Sequence, residues 1–192
     1  MRARVLRRGD YRRMRWKNGG GWTTELAVHP AGAEDGFDWR ISVADIESDG
    51  AFSTFSGCER HIALLEGAGM ELRFDTAPAA TLERRLEFVR FAGEWQTFGA
   101  LRAGPVRDFN VIARRDAVRT DVWHRPLVGP MVFPADAEAT WFVYLAAGTA
   151  SLKLSELQPL EAGDSLLIAP GAENVVLTGG GEVAIVKFTK RE

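Results

Sequence analysis

The strongest constraint in this chain is a period of two. Segments such as "TTELAV" (23–28), "WRISVADI" (39–46), "HIALLEG" (61–67), "MELRF" (70–74) and "FNVIARR" (109–115) alternate between apolar and polar residues. "WFVYLAA" (141–147), "ASLKL" (150–154), "SLLIA" (165–169) and "EVAIVKF" (182–188) are similar extended runs. Successive side chains of a strand point to opposite faces, so the pattern reads as half-buried β-strands. Gly, Pro and Asp punctuate the runs at short intervals. No long amphipathic stretch carries helix caps, and the best helical segment, "ATLERRLEFV" (80–89), reads equally as strand or loop. Short strands with frequent turns imply an all-β sandwich or barrel.

At 192 residues one core or two small fused barrels both fit. Forty-six per cent hydrophobic residues, with six Trp and eleven Phe, make a globular composition. No run approaches the roughly 20 apolar residues that span a bilayer, so no membrane association is expected. The N-terminus lacks an apolar signal core, and Cys58 is the sole cysteine, which excludes an internal disulfide and favours a cytoplasmic location. The net charge of −2 is uneven: residues 1–17 hold eight Lys and Arg against Asp10, a local +7 that leaves −9 elsewhere. Such an arm can meet nucleic acid, which would make the protein an interaction scaffold. Its interleaved apolar residues favour an edge segment docked on an acidic body, so nucleic acid is not the expected partner.

"LEAGDSLLIAPGAEN" (160–174) looks like the second motif of cupins, a Gly-Asp turn, an apolar strand and a Pro-Gly turn, but Asn174 stands where the metal-binding His is expected. The stretch matching the first motif, "CERHIALLEGAG" (58–69), holds His61 alone. His29, His61 and His124 form no paired spacing, whereas a Zn or Fe site needs several converging ligands. No metal or cofactor is therefore expected, although His61 with Glu66 could join a site assembled in space. A faint repeat sets "LLEGAGMELRF" (64–74) over "YLAAGTASLKL" (144–154), each read as strand, small-residue turn and strand.

Several strands concentrate short polar groups on one face: Thr23 with Glu25, Arg40 with Ser42, and Asp108 with Asn110. Solvent-facing strands tend to collect Lys and Glu, so these faces suit a polar interior in which Arg grips a carboxylate. "WKNGGGWTTEL" (16–26) precedes the first pair. It is not a phosphate loop, because Lys17 comes before the glycines and a strand follows them. It reads as a tight turn in which Gly19 to Gly21 pass close to other chain, with Gly20 expected to tolerate Val poorly.

"MRWKNGGGWTTEL", "WRISVADIESDGAFSTFSGCERHIALLEG" and "GPVRDFNVIARR" resemble the signatures of the HutD/Ves family of bacterial bicupins. The resemblance runs from about residue 4 to about residue 188 and thins after residue 116. It implies an all-β bicupin, two fused cupin-like β-barrels or sandwiches with little helix, at 1–115 (including the N-terminal strand segment) and 116–192, with strands able to swap between them. Shared positions carry over to Trp16, Lys17, Asn18, Gly19, Gly20, Gly21, Thr23 and Glu25, to Arg40, Ser42, Phe52, Ser53, Gly57 and Arg60, and to Asp108, Asn110 and Arg114. Cys58-Glu59 and His61 depart from the family's usual residues. The resemblance implies a link to histidine utilisation, with an intermediate such as formylglutamate as the proposed ligand, or to a stress response.

The expected function is binding of an anionic or amino-acid-like metabolite in a polar pocket of the first barrel. Trp16, Lys17, Asn18, Thr23, Glu25, Arg40, Ser42, Arg60, Asp108 and Asn110 are the expected ligand-binding residues. Lys17, Arg40 or Arg60 would neutralise a carboxylate, and Glu25, Asp108 and Asn110 would take N–H groups or orient the arginines. The alternative is a metal-independent isomerase, epimerase or hydrolase with Glu25 or His61 as general base; Cys58 three residues from His61 reads as an incidental turn cysteine. A homodimer is compatible with either.

Overall fold

The computed structural model describes residues 3–153 and 158–191. Arg2 of the basic arm and Leu154, the last residue of the expected "ASLKL" strand, lie outside the described residues. The fold is all-β, with one short 3-10 turn, Arg8–Asp10, among the described residues.

In chain order the strands are β1 (Ala3–Leu6), β2 (Arg12–Arg15), β3 (Gly21–His29), β4 (Trp39–Ile46), β5 (Gly50–Ala51) and β6 (Cys58–Glu66). There follow β7 (Met70–Phe74), β8 (Ala80–Leu82), β9 (Phe88–Ala92), β10 (Thr97–Leu101) and β11 (Val106–Arg114). The last five are β12 (Val118–Phe133), β13 (Ala139–Leu152), β14 (Leu160–Glu161), β15 (Ser165–Ile168) and β16 (Val175–Lys190). The stretch 80–89 is strand and loop, not helix. Among the described residues no helix is long and apolar enough to cross a membrane.

The chain divides into two units, Arg12–Val118 and Met1–Tyr11 with Arg119–Glu192. The opening segment thus joins the C-terminal unit, whereas sequence alone put it with the first barrel. In the Arg12–Val118 unit one sheet runs β2-β3-β4-β11-β6-β9 and another β5-β10-β7-β8. Both are open sheets rather than closed barrels. A shared apolar core joins Ile62, Leu64 and Val106 of the first sheet to Met70, Leu72 and Leu82 of the second. Burial of these aliphatic faces, at about 25 cal/mol per Å² of apolar surface, holds the two layers together.

In the other unit the order is β1-β15-β13-β16-β12, with β14 paired to β13. Sequence suggested two strands separated by a turn near Gly148. The structure has one continuous β13, with a register shift between Leu145 and Ala147. Gly148 lies opposite Gly181 at φ +91, and a Cβ there would strike the Gly180 carbonyl, so the glycines let the strand bulge without breaking. The cupin-like motif is structural here. Asp164 accepts the backbone N–H groups of Arg8 (2.9 Å) and Glu161 (3.1 Å) and a 2.8 Å bond from Arg7. Burial alone would raise its pKa; these donors hold it below the usual carboxylate value. Asn174 accepts the Ala135 N–H at 2.8 Å.

The basic arm is tied to carboxylates within each unit. Arg7 pairs with Asp164, while Arg12, Arg13 and Arg15 pair with Glu34, Asp45 and Glu47.

Candidate ligand-binding cavity

Three neighbouring strands of the Arg12–Val118 unit change character along one face. β4 passes from Ile46 and Ala44 to Ser42 and Arg40, β11 from Val106 to Asp108 and Asn110, and β6 from Leu64 and Ile62 to Arg60. Antiparallel register aligns these changes: Ser42 lies opposite Asn110, Ala44 opposite Asp108, and Ile112 opposite Arg60. Where the apolar core stops, a cavity of about 450 Å³ opens. Beyond it a small cluster of Phe37, Cys58 and Ile112 packs together.

The deep wall holds Ser42, Arg60, Asp108 and Asn110, all buried. Arg60 is 3% exposed, donates to the Ser53 carbonyl at 3.1 Å, and has Phe52, Phe55 and Phe91 ring centroids 5.3, 5.6 and 5.1 Å from its guanidinium carbon. Burial lowers its pKa to about 10, so it stays charged at neutral pH. Asp108 is 1% exposed, and neither carboxylate oxygen has a hydrogen-bond partner of good geometry. Burial pushes its pKa up to about 7, with Arg60 and the Ala44 backbone N–H pulling partway back. Arg60 Nε and Asn110 Oδ1 are also unpartnered. Buried polar groups are nearly always satisfied, and each exception costs about 1–3 kcal/mol. Four such atoms fall in three residues that line this one cavity.

The rim comes from the β2–β3 hairpin. The Gly19 N–H bonds the Trp16 carbonyl at 3.0 Å, and Trp16 N–H bonds the Gly21 carbonyl at 3.0 Å, closing a turn that presents Lys17 and Asn18 to the cavity. Asn18 Oδ1 caps the Gly20 N–H at 3.0 Å, and Trp16 Nε1 donates to Thr23 at 2.8 Å. Gly19 has φ +74, where a side chain is strained. At Gly21 a Cβ would collide with the Asp45 carbonyl; at Gly20 it would meet the Ser48 hydroxyl at 3.0 Å. The close approach therefore belongs to Gly21, not Gly20.

Of the residues expected at a ligand site, Trp16, Lys17, Asn18 and Thr23 lie on the hairpin side of the cavity, and Arg40, Ser42, Arg60, Asp108 and Asn110 on its sheet side. Glu25 does not line it. Its carboxylate sits 2.9 Å from Arg40 Nε, close as an ion pair but off the angle of a hydrogen bond, and so positions Arg40. His61 is on the opposite face of β6 from Arg60, bonded to Glu59 at 2.9 Å. Burial would raise the Glu59 pKa, but His61 and Arg90 together lower it. Glu66 pairs with Arg107 at 3.2 Å, and among the described residues no cluster of three His, Cys, Asp or Glu gathers as a metal site. The Cys58 thiol is buried, which pushes its pKa up, with Arg115 and Arg114 opposing; that favours the inert thiol. Sequence reasoning missed Arg15, Ala44, Ile46, Ala51, Phe55 and Ile112 as lining residues, and gave Phe52 and Ser53 only as shared positions. Two aromatics three apart in "FSTF" just before Arg60 were the available signal for Phe55.

These features define an all-β protein with a buried polar cavity. Remote solved structures share the fold alone, among them the Escherichia coli pirin YhhW (TM-score 0.73, 11% identity, covering 99% of this chain and 100% of that one), a cupin-like protein. The HutD family model matches residues 8–185, and the chain belongs to the HutD/Ves family. HutD from Pseudomonas fluorescens SBW25 superposes with a TM-score of 0.84 at 32% identity, covering 99% of this chain and 100% of that one. Protein Ves of Cronobacter sakazakii is 32% identical over 145 residues, 75% of this chain and 76% of that protein. The "21.2 kDa protein in hutC 3'region" of Pseudomonas putida is 47% identical over 108 residues, 56% of each chain. The matched stretch thus spans about half the length of that relative.

Proposed function

We propose that this chain is a bicupin that binds a carboxylate-bearing small metabolite in the cavity of its Arg12–Val118 unit, and that this binding serves regulation of histidine utilisation or a related stress response. The observation that carries the reading is the convergence of buried atoms without a well-aligned hydrogen-bond partner, Arg60 Nε, Asp108 Oδ1 and Oδ2, and Asn110 Oδ1, in residues lining one cavity with a basic rim. The names of two relatives, HutD and a protein in the hutC 3' region, support the pathway part of this reading. A ligand bound at 100 times its Kd stabilises the folded state by about 2.7 kcal/mol. A thermal-shift screen of histidine-degradation intermediates and small dicarboxylates should show such a rise, reduced in Arg40→Met and Lys17→Ala. No shift at saturating concentration removes those ligands and the pathway assignment with them.

One observation favours a second reading, a metal-independent acid–base enzyme: Asp108, rather than Glu25 or His61, is the buried carboxyl on the cavity. That reading requires turnover to vanish in Asp108→Asn while binding persists.

A further inference from the structure

The unpartnered atoms differ in kind along the depth of the cavity. Deep in it, Arg60 Nε is a donor without a well-aligned acceptor, while Asp108 Oδ1 and Oδ2 and Asn110 Oδ1 are acceptors without well-aligned donors. With Asp108 ionised, the Arg60 and Asp108 charges offset each other there. The rim differs. Arg15 is paired with Glu47 and Arg40 with Glu25, and Lys17 has no ion-pair partner among the described residues. A carboxylate is matched by the rim. Pushed deep, it would meet the ionised Asp108 carboxylate away from water, where repulsion between like charges offsets the attraction of Arg60. A planar amide fits the deep end, because its oxygen accepts from Arg60 and its N–H donates to Asp108 or Asn110.

We propose that the deep end is an amide subsite: the ligand sets an uncharged group bearing C=O and N–H against Arg60, Asp108 and Asn110, with its carboxylate at the rim, and Asp108 is the specificity residue that rejects a second carboxylate. This rests on the reading that the cavity binds a carboxylate-bearing metabolite. A carboxylate enters the deep end only with a proton on Asp108, whose pKa is pushed up to about 7. The other charged groups facing the cavity are Arg60 from β6, Arg40 from β4, and Arg15 and Lys17 from the hairpin; Asp45 on β4 adds a weaker negative field. His61 lies on the far face of β6 against Glu59.

Succinamate and succinate make a matched pair of probes, differing only in amide against carboxylate. Binding to the full chain is measured by calorimetry between pH 6 and 8. Succinamate should bind at least about tenfold more tightly than succinate at pH 8, without weakening as pH rises, and succinate should weaken by about tenfold per pH unit above 7. Calorimetry in buffers of different ionisation enthalpy should count proton uptake with succinate above pH 7, and none with succinamate; this readout needs no variant. In Asp108→Asn, succinate affinity should become flat with pH and approach that of succinamate. Succinate binding as tightly as succinamate at pH 8, without proton uptake, overturns the amide subsite and leaves carboxylate binding standing. A pH dependence that persists in a folded Asp108→Asn overturns the role of Asp108. Failure of both probes to bind the wild type at any pH overturns the amide subsite and the carboxylate-binding reading together.

Discussion

Arg60 and Asp108 face the same cavity from adjacent strands, each almost removed from water, without closing into an ion pair at contact distance. The carboxyl therefore carries a burial penalty that its nearest cation only partly relieves. Its pKa rises from 3.8 unfolded to about 7 folded. A raised carboxyl pKa stabilises the fold fully below the unfolded value, and that stability is lost as pH rises through the folded value. The ligand-free protein should lose on the order of a few kcal/mol between pH 4 and pH 7 from this group alone. Asp108→Asn should flatten that part of the denaturation-against-pH profile. An unchanged slope in the variant would show that Asp108 titrates normally.

The three glycines should separate by mechanism. Gly21→Ala drives a methyl into the Asp45 carbonyl and should cost on the order of 2–4 kcal/mol. Gly19→Ala should cost about 1 kcal/mol because of its positive φ. Gly20→Ala meets only side-chain atoms, the Ser48 hydroxyl at 3.0 Å and Asn18 Oδ1 at 3.4 Å, and should cost less than either. Urea denaturation of the three variants checks the ranking, and equal costs at Gly20 and Gly21 would refute it.

Glu25 acts through Arg40, so Glu25→Gln should weaken ligand binding by only a few-fold, whereas Arg40→Met should weaken it by about 10–100-fold. His61→Gln should leave affinity unchanged while lowering stability, since its ring bonds Glu59 on the far face. Calorimetric titration beside thermal melts separates these effects. A large affinity loss in His61→Gln would place that ring in the site after all.

Asn174 occupies the motif position of a metal-binding His but caps the Ala135 N–H. Asn174→His should cost about 0.5–1.5 kcal/mol from the lost hydrogen bond and bring no zinc affinity. Equilibrium dialysis with zinc and a melting curve test both halves.

The all-β class and most strand positions were legible because the face alternation of a strand is local. β4 and β7 were read to the residue from "WRISVADI" and "MELRF". β12 was not, because Pro126, Gly129 and Pro130 break its pattern; it lies at the edge of its sheet, where proline is tolerated. The polar faces of Thr23, Arg40, Ser42, Asp108 and Asn110 were legible for the same local reason as the strands.

Which of those polar groups would find partners was not legible, since that depends on register between strands distant in the chain. Sequence alone determined the strand pattern, the polar faces and the crowded glycine turn. Tertiary structure decided that Glu25 steadies Arg40 outside the cavity, that His61 turns away, that Gly21 rather than Gly20 makes the close approach, and that Asp108 is buried without a side-chain partner at contact distance. Burial and hydrogen-bond satisfaction are properties of a side chain's neighbours in space, and cross-strand pairing supplies those neighbours.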